Sequence, residues 1–165
     1  PLYNWGLALV DKRRYAEAIR KYDEAIKIDP NYSSAHFHKG IALQGLNRLD
    51  ESAEQYAEAV RLDPEFTQAR LFLGMERMRQ NRFEEAAKQL AIVARLHPDQ
   101  AGILTQYGLA LEETGRLDEA IILFREALRL QPEHEAAKKA LEAIAGGSDA
   151  DAATAAREAL KTLEE

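Results

Sequence analysis

Four prolines, Pro30, Pro64, Pro98 and Pro132, stand 34 residues apart, and four glycines, Gly6, Gly40, Gly74 and Gly108, keep the same spacing. Between each Gly and the next Pro the period fixes three more positions. These are Ala18, Ser52, Ala86 and Ala120, then Tyr22, Tyr56, Leu90 and Phe124, then Ala25, Ala59, Val93 and Ala127. Self-similarity of this length marks a repeat architecture, in which one unit cannot bury its apolar face alone, stacking makes the core continuous, and an exposed end must be capped.

Within one period the apolar spacing predicts two helices. Segment 33–46 carries Ala35, Ala42 and Leu46, and segment 48–62 carries Leu49, Ala53, Tyr56, Ala57 and Val60. Asn47-Arg48, and later Gly115-Arg116, supply residues that tolerate a left-handed helix end. Asp29-Pro30, Asp63-Pro64, His97-Pro98 and Gln131-Pro132 close each second helix, because the residue before Pro is pushed out of the α region. The small positions let two helix backbones approach, and the large Tyr22, Tyr56, Leu90 and Phe124 fill the gap between neighbours.

This pattern resembles the tetratricopeptide repeat, with its small residues at positions eight, twenty and twenty-seven, aromatic at twenty-four and Pro at thirty-two. The resemblance spans residues 1 to about 134, as repeats 1–32 (lacking its first two residues), 33–66, 67–100 and 101–134. It implies an all-α, right-handed superhelical solenoid of antiparallel A and B helices whose A helices line a concave groove. Segment 135–146 keeps the A-helix register through Ala137, Leu141 and Ile144 but has Glu142 where Gly belongs, and reads as a cap. After Gly146-Gly147, Ser148 or Asp149 can cap an amphipathic helix within 147–165. Its stripe is Ala152, Ala156, Ala159, Leu160 and Leu163, while Asp149, Asp151, Arg157, Glu158, Lys161 and Glu164 face away. Three placements are open to it: a fold-back that closes the solenoid, the groove of a second copy (a homo-oligomer), or an extended tail.

The resemblance also implies which side chains face the groove. Position five gives Tyr3, Phe37, Leu71 and Thr105, and position six gives Asn4, His38, Phe72 and Gln106. Position nine gives Leu7, Ile41, Met75 and Leu109, position twelve Val10, Gln44, Met78 and Glu112, and position thirteen Asp11, Gly45, Arg79 and Glu113. The expected partner-binding set is Tyr3, Asn4, Leu7, Phe37, His38, Ile41, Leu71, Phe72, Met75, Met78, Arg79 and Leu109, centred on Phe37, Ile41, Leu71, Phe72, Met75 and Met78. Contiguous exposed apolar surface with adaptable Met side chains suits a protein or peptide with apolar anchors. The family's two-carboxylate clamp, which holds chaperone tails with Lys, Asn and Arg, is missing: its positions hold Tyr3, Leu7, His38, Gln68 and Phe72. Its asparagine ladder is reduced to Asn4. The third repeat departs most, with Glu76 where a buried Ala is usual and Arg77 where an apolar residue is. Glu76 should pair with Arg77, Arg79, Lys39 or Arg70, or sit at a distortion; alternatively the cluster receives a partner's charged group.

The remaining sequence offers no catalytic, metal or cofactor motif. There is no cysteine, no phosphate-binding loop and no nucleophile elbow. His36 and His38 point about 200° apart on a helix, the wrong geometry for a shared metal. His97 and His134 stand at a turn and a repeat junction, and the paired glutamates sit on solvated faces. A net charge of −6 disfavours nucleic acid. With 30% charged residues and no run near the roughly 18 apolar residues of a spanning helix, membrane insertion is not expected either. Starting at Pro1 without an initiator Met, the chain reads as a fragment or processed product. A non-enzymatic adaptor or scaffold is therefore expected; a self-assembling scaffold and the recognition arm of a longer enzyme are the alternatives.

Overall fold

The computed structural model describes residues 1–164. They form ten helices: α1 (Leu2–Asp11), α2 (Tyr15–Ile28), α3 (Ser33–Gly45), α4 (Leu49–Leu62), α5 (Thr67–Arg79), α6 (Phe83–Leu96), α7 (Ala101–Glu113), α8 (Leu117–Leu130), α9 (Glu135–Ala145) and α10 (Ala150–Glu164). There is no strand among the described residues. The helices fall into two compact units, Pro1–Asn81 and Arg82 onward.

The turns explain why helices stop where they do. Arg13, Asn47, Asn81 and Gly115, spaced by the repeat, all have φ between 56° and 78°. After α3 the amide of Asn47 donates to Gln44 O and that of Arg48 to Leu43 O, both at 2.9 Å, so a left-handed residue satisfies the last carbonyls. Arg13 does this without the tolerance of Asn or Gly, at a cost on the order of 1 kcal/mol. At the other turns, Asp29 Oδ1 accepts from Asn31 N (3.0 Å) and Asp63 Oδ1 from Glu65 N (3.1 Å), folding the chain around Pro30 and Pro64.

In the first unit two core clusters are defined among the described residues. Leu9, Ala18, Ile19, Tyr22, Ala42 and Leu43 join α1, α2 and α3. Phe37, Ala53, Tyr56, Ala59, Ala69 and Leu73 join α3, α4 and α5. Ser52, at a small position, is fully buried and donates to the Gly40 carbonyl at 3.0 Å. The two buried tyrosines differ at their tips. Tyr56 donates its hydroxyl to Gln44 Oε1 at 3.2 Å, but the Tyr22 hydroxyl is buried without a partner, because Val10 stands where the next repeat has Gln44. Leaving a buried hydroxyl unpaired is costly. Tyr22→Phe is therefore expected to stabilise the unit by about 1 kcal/mol and Tyr56→Phe to give no such gain, a contrast that paired urea titrations read directly.

In the second unit α8 contributes Ile121, Phe124 and Leu128 to the core, and α9 contributes Leu141 and Ile144. The C-terminal helix α10 packs back on α9 and α8 within the same chain, the first of the three placements open to it. Asp149 caps it through Ala152 N at 3.0 Å. Its buried stripe is Ala152, Ala153, Ala156 and Ala159; Leu163 remains 36% exposed. Arg157, expected to point away, is exposed and also donates to the Ala145 carbonyl at 2.7 Å. The side chain of Glu164 and all of Glu165 lie outside the described residues.

Candidate functional site

Within the first unit α1, α3 and α5 share one face, joined by aromatic contacts. Tyr3 lies edge-on to His38 at 5.3 Å between centroids and beside Tyr32 at 5.0 Å. Phe37 meets Phe72 at 5.4 Å, and Phe72 meets Tyr56 at 5.5 Å. Tyr3, Leu7, His38, Ile41, Leu71, Phe72, Met75 and Met78 are each half-buried, whereas Asn4 and Arg79 are exposed. Leu109 is half-buried on α7 in the second unit.

Two expected groove residues are not on an open face. Phe37 is 1% exposed, because its ring is enclosed by Tyr56, Phe66 and Phe72; it supports the face from beneath rather than meeting a partner. Thr105 is buried and donates its hydroxyl to the Ala101 carbonyl. Gly45 is exposed but offers no side chain, and a Cβ there would meet the Tyr15 ring at 2.6 Å. Conversely, Tyr32 and Phe66 belong to the aromatic chain although they lie in turns. Their separation by one period was the signal available in the sequence.

The polar groups divide by environment. His38 Nδ1 lies 2.9 Å from Ser34 O, a pure acceptor, so Nδ1 carries the proton; the Tyr3 hydroxyl lies 3.1 Å from the same nitrogen. Burial holds the His38 imidazole below its ordinary range, with the Ser34 hydrogen bond opposing, so it is neutral at pH 7. It is thus no cationic donor for a carboxylate. Burial, and secondarily Tyr32, raises the Tyr3 phenol. His36 is a satisfied core histidine, with Nδ1 3.0 Å from Gln55 Oε1 and Nε2 3.3 Å from Pro30 O.

Glu76 is fully buried, and of its four candidate partners Arg79 takes the role: Nη1 donates to Oε1 at 2.8 Å. Lys39 instead pairs with Asp23 at 2.7 Å, Arg70 donates to Pro64 O, and Arg77 to Gln80 Oε1. Burial pushes the Glu76 carboxyl above its ordinary range, and Arg79 only partly opposes this. Among the described residues no group of three or more acidic or His side chains could hold a metal, and no helix is long and apolar enough to cross a membrane.

The tetratricopeptide repeat profile matches residues 3–65, 39–75 and 71–135. The chain belongs to the tetratricopeptide repeat family. Solved structures agree with its fold. YrrB, a TPR protein with an unusual peptide-binding site, superposes with a TM-score of 0.86 at 21% identity, covering 99% of this chain and 85% of that one. MamA from Desulfovibrio magneticus RS-1 (residues 41 to end) gives 0.81 at 20% identity, over 99% and 91%. MamA from AMB-1 gives 0.78 at 24% identity, over 99% and 96%. No curated protein matches the sequence. Proteins of this family are generally non-enzymatic adaptors, and the fold is one that supports protein–protein interaction.

Proposed function

We propose that this protein is a non-enzymatic adaptor that captures a peptide or helix with apolar anchors on the α1, α3 and α5 face. One observation carries the reading: Leu7 on α1, Ile41 on α3, and Phe72, Met75 and Met78 on α5 are large apolar side chains that each stay half-buried rather than enclosed in the core. Burying each such side chain contributes on the order of 1.5–3 kcal/mol, so a few anchors suffice for specific binding. The aromatic floor fixes the shape of the site, and the two methionines adapt it to different anchors. The peptide-binding site of YrrB is consistent with this use of the fold. The helix that could have joined two copies is engaged with α8 and α9 of its own chain, which favours capture of a different protein over exchange of that helix.

Met75→Glu/Met78→Glu changes two half-buried side chains that belong to neither core cluster. In parallel affinity captures, with folding verified by circular dichroism, the double variant is expected to lose the partners held by the parent chain. An identical partner list from both would move the binding surface elsewhere.

A further inference from the structure

Glu76 occupies the position at which α3 has Ala42 and α7 has Ala110, all fully buried, so the fold has no packing need for a carboxylate there. Its Oε2 is shut off from solvent and has no hydrogen-bond partner. The surface arginines behave differently. Arg14, Arg48, Arg61, Arg116 and Arg129 each grip both oxygens of a glutamate with two nitrogens. Arg79 offers one nitrogen to one oxygen of Glu76, and its side chain is 45% exposed. A guanidinium carries five donors in a fork that matches a second carboxylate. The remaining donors of Arg79 have no partner among the described residues, and they sit one residue from Met78.

We propose that Arg79 is the receptor for an acidic group carried by the apolar ligand of this face, and that Glu76 behind it couples that binding to proton uptake. The inference rests on the reading of the face given above. A second carboxylate on this guanidinium places a like charge beside Glu76 and disfavours the ionised form of one of the two. Glu76 is the one that yields, because burial already favours its neutral form. One proton passes from solvent to the Glu76 carboxylate for each acid bound. Among the described residues the groups facing Glu76 are Arg79 on its own helix and Tyr56 on α4. Burial and the Glu76 charge raise the Tyr56 phenol, and its hydroxyl is committed to Gln44. Affinity for an acid therefore rises as pH falls toward the Glu76 carboxyl's own range, by up to about tenfold per pH unit.

The chain has two methionines, Met75 and Met78, so ¹³C-methyl methionine gives two reporters, both on this face. The probes are N-acetyl-Phe-Leu with a free carboxylate and the same dipeptide as its C-terminal amide. The acid is expected to bind about fivefold more tightly than the amide, with the preference growing from alkaline to weakly acidic pH. Arg79→Gln should equalise the two probes. Because that change strands Glu76, Glu76→Gln supplies a second arm: it should bind the acid at alkaline pH as tightly as the parent does at weakly acidic pH, with a flat profile. Equal binding of acid and amide to the parent chain would overturn the role of Arg79 while leaving the apolar face standing. An unchanged pH profile in Glu76→Gln would overturn the role of Glu76. If neither probe moves the methionine signals, the reading of the face falls, and this inference with it.

Discussion

Gly40→Ala lowers the stability of the first unit by about 2 kcal/mol, although at an unconstrained helical site the same change would raise it by about 1 kcal/mol. The sign follows from the space available. A Cβ on Gly40 would lie 2.6 Å from Cε1 and 2.8 Å from Cδ1 of Tyr56. That ring cannot retreat cheaply, since Tyr56 is fully buried, its hydroxyl is held by Gln44, and Phe37 and Phe72 flank it. The displaced methyl must therefore push α3 away from α4 and disturb the aromatic floor of the binding face at the same time. Urea unfolding followed by circular dichroism measures the loss. Tyr56→Leu in the same chain supplies the rescue, because the third repeat carries Leu90 at this position. The double variant should be more stable than the two single changes predict when added, a positive coupling between residues in contact. Additive losses would mean that the ring finds room which the geometry does not show.

The same contact explains why so much of the fold was legible in the sequence. A close helix approach that sets an aromatic ring against a glycine recurs in the first, second and fourth hairpins, so the pairs Gly6 with Tyr22, Gly40 with Tyr56 and Gly108 with Phe124 announce the architecture. Turns were legible for a similar reason: Asn47 and Gly115 are residues that tolerate the left-handed conformation they adopt, though Arg13 adopts it too and gives no such sign. The site was less legible. Register alone places Phe37 among the groove positions, but whether its ring meets solvent depends on Phe66, a turn residue from the following junction that closes over it at 4.9 Å. Register likewise could narrow the partner of Glu76 to four cations. Choosing among them required knowing that Lys39, Arg70 and Arg77 are committed elsewhere, to Asp23, Pro64 and Gln80. Contacts set by the repeat are written in the period; contacts set by departures from it are not.

Glu76 is the sharpest such departure, and replacing it with Ala should stabilise the first unit by about 1–2 kcal/mol at neutral pH. Three effects enter. Removing the carboxylate relieves the desolvation of a fully buried group whose Oε2 is unpaired. Against this stand the lost bond to Arg79 and the lost packing of the side-chain stem. The bond is worth little, since half-exposed Arg79 regains water when released. Ala42 and Ala110 show that the helices close around Ala at this position. The pH dependence separates the carboxylate from the packing. Because the folded state raises the Glu76 carboxyl above its ordinary value of 4.5, the folded protein binds this proton more tightly than the unfolded chain does. The parent chain therefore carries the full penalty above the raised value and recovers as pH falls through it and below 4.5, where the proton is bound in both states. The advantage of Glu76→Ala should accordingly be greatest at neutral and alkaline pH and shrink on acidification, as read from urea midpoints of the two proteins across that range. An advantage that does not vary with pH would assign the effect to packing, and a net loss at every pH would show that the stem of Glu76 fills space the helices cannot close.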